Sequence, residues 1–171
     1  MLLKAWRFIT VMLVALLAGL AFAHVLERPA KMLYDAALYI TLQKTLYVEW
    51  GPPNVGGFLE PAAIAATIVL AVALRMSRHR YAGALGASVL LLLAFPVVFF
   101  ALVAPSNEAF MAAAPGTIPT DWMALRDRWE MGHAIRFALQ LTALGLLVLS
   151  LLGDPAPGPP RRPQRDGYPH P

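Results

Sequence analysis

Four long apolar stretches divide the chain, Phe8 to Leu26, Phe58 to Leu74, Tyr81 to Ala104 and Ala134 to Leu152, with polar residues gathered between them. Each is near the roughly 20 residues that a helix needs to cross a hydrocarbon core about 30 Å thick. The pattern predicts an all-α, integral membrane four-helix bundle over residues 1–153, with spans at about 8–26, 58–74, 81–104 and 134–152. Two spans are not clean. The second draws Glu60 inside if it begins near Gly57, and the fourth contains Arg136 and Gln140. A charge at membrane depth costs at least about 2.5 kcal/mol and is tolerated mainly where a partner or a water-filled cavity receives it. Pro96 is expected to kink the third helix, because apolar residues continue on both sides of it.

The connections differ in kind. Glu27 to Gly57 is too long for a turn and reads as an additional interfacial helix over about 29–50, with Pro29 in its first turn and Gly51-Pro52-Pro53 as its stop. Met32, Leu33, Ala37, Ile40 and Leu46 mix there with Tyr34, Tyr39, Tyr47 and Trp50, rings that favour the headgroup region. Such a helix is either a lid over the bundle or a gate for substrate. Pro105 to Thr120 carries turn residues, after which Thr120-Asp121 caps a helix that starts at Trp122 and runs into the fourth span. Residues 154–171 form a Pro-rich tail expected to be disordered and cytoplasmic.

Composition supports the membrane assignment. Of 171 residues, 58% are hydrophobic and 14% charged, against about 25% charged in ordinary soluble domains. Nothing is left over for a separate soluble catalytic domain, so any chemistry must sit among the helices. The absence of cysteine excludes disulfides, thiolate nucleophiles and cysteine metal sites. Lys4, Arg7, Arg75, Arg78, Arg80, Arg161, Arg162 and Arg165 fall on one side, and Arg28, Lys31, Lys44, Arg126 and Arg128 fall on the other among acidic residues. The positive-inside rule then predicts both termini in the cytoplasm, consistent with a bacterial inner membrane. Ala21-Phe22-Ala23 after an apolar run also fits a signal-peptide cleavage site, although the run continues long enough to span. Lipid and a hydrophobic small molecule are the expected partners, with a membrane-protein partner or a second copy of the chain as further candidates. No nucleic-acid partner is expected.

The polar residues converge on the outer face. Helix one ends with His24 and Glu27, helix two begins with Glu60, helix three leads to Asn107 and Glu108, and helix four opens with Arg126, Glu130, His133 and Arg136. Residues three or four apart share a helix face, so the two His and two Glu form matching layers if the first and last helices are neighbours. Three explanations are open. The first is a metal centre of His24, Glu27, Glu60, Glu130 and His133 holding a divalent ion (Fe, Mn, Cu or Zn), since bundle carboxylate proteins use Glu-x-x-His in this way. The second is a metal-free pocket in which arginines neutralise the carboxylates and a His accepts protons, walled by Trp122, Trp129, Phe58 and Phe110. The third is a set of ion pairs that only fixes helix packing.

The segment Trp122-Met123-Ala124-Leu125-Arg126-Asp127-Arg128-Trp129-Glu130-Met131-Gly132-His133-Ala134-Ile135-Arg136, preceded by Pro105-Ser106-Asn107, resembles the W-x-x-x-R-x-x-W-x-x-x-H-x-x-R signature of the anthrone-oxygenase-like family of small membrane proteins. It is similar above all to bacterial members that also share the pattern of His24, Glu27, Pro29, Lys31, Gln43, Tyr47 and Glu60. The resemblance implies a four-helix membrane bundle and, in the polyketide branch, oxygenation of an anthrone to an anthraquinone without an obvious cofactor. Carried onto this chain, His133 or His24 would take the ring proton, while Arg136 or Arg126 with Asn107 would stabilise the anion. The expected function is therefore an oxidoreductase or oxygenase acting on an aromatic or quinone-like molecule. The alternative is a non-catalytic subunit or small-molecule-binding component of a larger membrane complex.

Overall fold

A computed structural model describes residues 1–51 and 54–152, so the expected disorder of the tail, and Pro52 and Pro53 as helix stops, lie outside the described residues. Every regular element among the described residues is a helix, with no strand. Helix α1 spans Leu2–Lys31. Helix α2 spans Ala36–Leu42 and continues through a π-helical turn, Gln43–Tyr47, to Val48–Trp50. Helix α3 is Val55–Ala73. Helix α4 runs Arg78–Ala112, with a wide π-helical stretch at Leu93–Val103, and α5 is Trp122–Leu152. Four of these, all but α2, are long and apolar enough to cross a membrane.

The bundle buries polar residues of its spans beside an apolar core and turns further apolar residues outward. Along α1 the buried positions include Arg7, Thr10, Val14, Leu17, Ala21, His24 and Lys31, in alternating steps of three and four until the last step of seven, with Ala18 buried beside Leu17. Along α5 they include Leu125, Trp129, Gly132, Arg136, Gln140, Ala143, Leu147 and Ser150. That spacing is the seam of helices packed at a shallow crossing angle. The opposite faces expose Phe8, Leu16 and Phe22 on α1 and Leu141 and Leu149 on α5. In water such faces would drive aggregation; in lipid they are the solvated surface.

Three boundaries differ from the sequence-based expectation. Pro29 does not start the second helix, because α1 continues to Lys31 with Pro29 inside it. A proline near a helix end forfeits only one backbone hydrogen bond, and the chain turns at Asp35 instead, whose carboxylate accepts from the Leu38 amide at 2.8 Å. Pro105 likewise does not end the third span; it occupies the first turn of Ala104–Ala112, so α4 extends outward and carries Asn107 and Phe110 with it. Finally, α2 does not display its rings to headgroups. Tyr39 and Tyr47 are buried at 1% and 8% exposure, while Leu33, Leu38 and Leu46 face outward. Pro96 does not end its helix and lies within the π-helical stretch; lacking an N–H, it cannot make the ordinary bond to the preceding turn.

Close approach of α5 to α4 depends on Gly132. A Cβ there would stand 2.7 Å from Val103 Cγ2 and 3.1 Å from Leu102 Cβ. Gly132→Val should therefore destabilise the bundle by about 1–3 kcal/mol through overpacking. Gly145→Ala, which meets nothing within 4 Å, should be neutral or stabilising by up to about 1 kcal/mol. Thermal unfolding of the two variants in detergent, followed by circular dichroism, measures both effects.

Candidate functional site

The buried seam of α5 turns polar over its outer half. Glu130, His133, Arg136 and Gln140 are all buried there, facing His24 and Lys31 of α1 and Glu60 of α3. The imidazoles of His24 and His133 lie with ring centroids 4.0 Å apart. Trp129 stands against both, 5.0 Å from His24 and 4.2 Å from His133, while Tyr47 and Trp50 from α2 each lie 5.1 Å from His24. The histidine layer expected from the spacing is thus formed.

The carboxylates behave differently. Lys31 Nζ lies 3.1 Å from Glu130 and 3.9 Å from Glu27. Tyr39 donates to Glu130 at 3.0 Å and Tyr47 to Glu27 at 2.7 Å. Deeper in the bundle, Arg136 is ion-paired with Glu60. Its other guanidinium arm reaches His133 Nδ1 at 3.5 Å. Arginine has only protons to give, so this His133 nitrogen is the acceptor. Each carboxylate has its own cation or phenol, as the low dielectric of a bundle interior demands. The five residues of the expected metal centre consequently do not converge, and no group of three metal-ligating side chains lies together among the described residues.

Burial raises the hydroxyl pKa of both α2 tyrosines above its ordinary value; Glu130 adds to this at Tyr39, and the Glu27 hydrogen bond adds to it at Tyr47. Both phenols therefore remain hydrogen-bond donors across the working pH range. They complete the coordination of two carboxylates, and they close the outer end of the bundle.

Between these groups lies a cavity of about 130 Å³, room for about four water molecules. It runs from Trp50 and Gly51 at the outer end, past His24, His133 and Trp129, to Leu17 and Gln140. Phe95 and Phe99 form the α4 side. The π-helical stretch sets Phe99 with its ring centre 5.2 Å from the Arg136 guanidinium carbon. Several polar atoms at this cavity are buried without a hydrogen-bond partner: His24 Nδ1, Arg136 Nε, Gln43 Nε2 and both amide atoms of Gln140.

Of the residues singled out from sequence, His24, Glu60, Asn107, His133 and Arg136 line the cavity, while Glu130 is paired with Lys31 outside its lining. Asn107 accepts from the Trp129 indole at 2.7 Å and so fixes that ring. Arg126 stands apart, bound to Asp127 and to the Met32 carbonyl. Glu27 is partly exposed, and Glu108 faces outward. Of the expected walls only Trp129 is present: Phe58 is 74% exposed, and Phe110 and Trp122 pack with Tyr39 in a separate cluster. Lys31, Tyr39, Gln43, Tyr47, Trp50, Phe99 and Gln140 complete the site without having been assigned to it from sequence. Comparison of the chain with family models, with curated proteins and with solved structures gives no match.

The Lys31–Glu130 pair supplies a direct check. Lys31→Met leaves a buried carboxylate without its cation and should cost about 3–5 kcal/mol, whereas Lys31→Met combined with Glu130→Gln should recover most of that loss. Unfolding midpoints of the two single variants and the double variant, measured in one detergent, provide the cycle.

Proposed function

We propose that this chain is a membrane-embedded oxidoreductase or oxygenase acting on a hydrophobic aromatic small molecule, working through acid–base chemistry at the histidine pair. The observation that carries the reading is the pairing itself: His24 and His133 sit 4.0 Å apart at an aromatic-walled cavity, and His24 keeps an unpartnered ring nitrogen there. Every buried carboxylate nearby is already matched, which leaves the imidazoles as the groups free to exchange a proton.

In this reading His24 removes a proton from an acidic carbon of the substrate. Arg136, held by Glu60, faces the oxygen onto which the negative charge spreads. His133, fixed by Arg136, orients the His24 ring. Molecular oxygen then takes an electron pair from the carbanion to form a carbon–oxygen bond. The resulting hydroperoxide loses water and leaves a carbonyl, so that one O₂ yields one ketone oxygen and one water. The excess of basic residues at Lys4, Arg7, Arg75, Arg78 and Arg80 supports an orientation with both termini in the cytoplasm, which would put the site near the outer face of a bacterial inner membrane.

Purified protein in lipid nanodiscs supplied with anthrone should consume oxygen and form anthraquinone in equal amounts. His24→Ala should lower the rate about 10²- to 10⁴-fold, the range of a lost general base, while exposed Glu108→Gln should leave it unchanged. Equal rates for wild type and His24→Ala would remove the catalytic reading. A non-catalytic component of a larger membrane complex would then be the better description.

A further inference from the structure

Helix α4 changes partners half-way along its length. Over its inner half, Ala84, Ala87 and Leu91 are buried in one apolar cluster with Ala63, Ile64, Leu70 and Ala71 of α3. Over its outer half, Phe99 and Val103 are buried with Trp129 of α5 and Tyr47 of α2, and that cluster draws no residue from α3. Side by side at the inner end, α3 and α4 therefore part company outward. The cavity occupies the space between them, with Gly56 and Glu60 on one side and Phe95, Phe99, Asn107 and Met111 on the other. What holds α3 at this level is a contact of another kind, the Glu60 ion pair to Arg136 of α5.

Depth puts this gap in the outer leaflet. Measured from Ala73 at the inner end of α3, Glu60 and Gly56 lie about 20 and 26 Å along the axis at 1.5 Å per residue, within a hydrocarbon core about 30 Å thick. Exposure points the same way: the lining residues of α5 are all buried, and so are those of α1 except Leu20, whereas Phe95 and Asn107 of α4 are half-buried and Met111 is 48% exposed. The aqueous end is closed by α2. Lys44 donates to the Ala113 carbonyl, Tyr39 and Tyr47 are bonded to carboxylates, and Gly56 lies so close to the Trp50 carbonyl that no Cβ fits between them. Phe95 stands where the two helices separate, packed against both the inner and the outer cluster while it lines the cavity. We infer that the space between α3 and α4 is a lateral portal through which an uncharged molecule dissolved in the outer leaflet enters the cavity, with Phe95 as its gate. A charged molecule is not held in hydrocarbon, and the one ionisable group framing the portal, Glu60, is already paired. The portal rests on the reading of the cavity as a small-molecule site and adds the route to it; it does not depend on the histidine chemistry.

The test uses 3-(trifluoromethyl)-3-phenyldiazirine, an uncharged photoprobe that dissolves in the bilayer, with the full-length protein in nanodiscs and carbene adducts mapped by mass spectrometry. Wild type should carry adducts on the buried cavity residues Trp129 and His133 as well as on the outward-facing Leu141 and Leu149, which serve as the internal standard. The chain has no cysteine of its own, so Leu59→Cys with Phe95→Cys places one thiol on each side of the portal, at residues that pack against the same cluster. Bridging them with a bis-maleimide should abolish the adducts at Trp129 and His133, relative to the same protein before bridging, and leave those at Leu141 and Leu149. Lys44→Cys bridged to Ala113→Cys, which locks α2 onto the end of α4, should leave all four. As a second variant that needs no bridge, Phe95→Ala should raise labelling of the cavity residues. The inference is overturned if wild type gives no adducts at Trp129 and His133, if bridging α3 to α4 leaves them in place, if Phe95→Ala fails to raise them, or if locking α2 removes them, which would move the entrance to the aqueous end. The catalytic reading is judged separately. Adducts lost on bridging together with unaltered oxygen consumption in His24→Ala would retain the portal and remove the histidine chemistry, and the reverse pair of results would do the opposite.

Discussion

Charge neutralisation inside a dry bundle is the constraint on which the rest of this structure depends. Two cations and two carboxylates are buried in the outer half, arranged as Lys31 with Glu130 and Arg136 with Glu60. Neither charge of a pair is tolerable alone at that depth, so each pair ties two helices together in a single register: α1 to α5 through the first, α3 to α5 through the second. Helix α5 belongs to both pairs and is the element against which the others are set. Its six-residue step from Glu130 to Arg136 fixes the depth of His133 between them. The histidine pair is therefore a consequence of the ion pairs, held at its level by charges above and below.

The same constraint explains why the carboxylates are not free for a metal. In a site open to water, a row of Glu and His side chains can stay unpaired until an ion arrives. Here Lys31 intervenes between Glu27 and Glu130, and two phenols from α2 supply further donors. The lid helix takes part in the electrostatics as well as covering the helix ends. Its inward face, Tyr39, Gln43, Tyr47 and Trp50, is spaced by four, four and three. The π-helical turn from Gln43 to Tyr47 and the longer π-helical stretch of α4 both border the cavity, and departures of this kind from the α-helical ladder are frequent at functional sites.

Much of this was legible in the sequence, and the misses have physical causes. The four spans followed from length and apolarity, and the level of His24, Glu60, Glu130, His133 and Arg136 followed from helix direction and i to i+3 spacing. Lys31 was overlooked as a buried residue because Pro29 was read as a helix start. Continuing the three-and-four spacing of α1 from His24 past Pro29 brings Lys31 onto the buried face, and Asp35, a good N-cap residue, was the signal for the true break. Pro105 misled in the same way: a proline in a first turn and a proline at a helix end look alike without knowing whether the preceding π-helical stretch continues. That stretch in turn has no signature in a 3.6-residue pattern. Tyr39 and Tyr47 were assigned to headgroups because an amphipathic ring suits either an interface or a buried carboxylate, and only the position of Glu27 and Glu130 decides between them.

Gln140 is where local economy and the global fold disagree, and that disagreement is informative. The charges outward of it on α5 are matched, Arg136 by Glu60 and Glu130 by Lys31 and Tyr39, and His133 accepts from Arg136. Inward of it the buried face continues through the apolar Ala143 and Leu147 to Ser150, whose hydroxyl is satisfied by the Leu147 carbonyl. A sequence selected for bundle stability alone would place the transition from polar to apolar at Arg136. It places the transition one turn deeper, at a residue whose donor and acceptor meet nothing from the protein and border the cavity. Natural sequences tolerate such local inconsistencies chiefly at sites that do work. The polar tract on α5 is therefore longer than the ion pairs require by one residue, and the physical meaning of that residue lies in what occupies the space beside it.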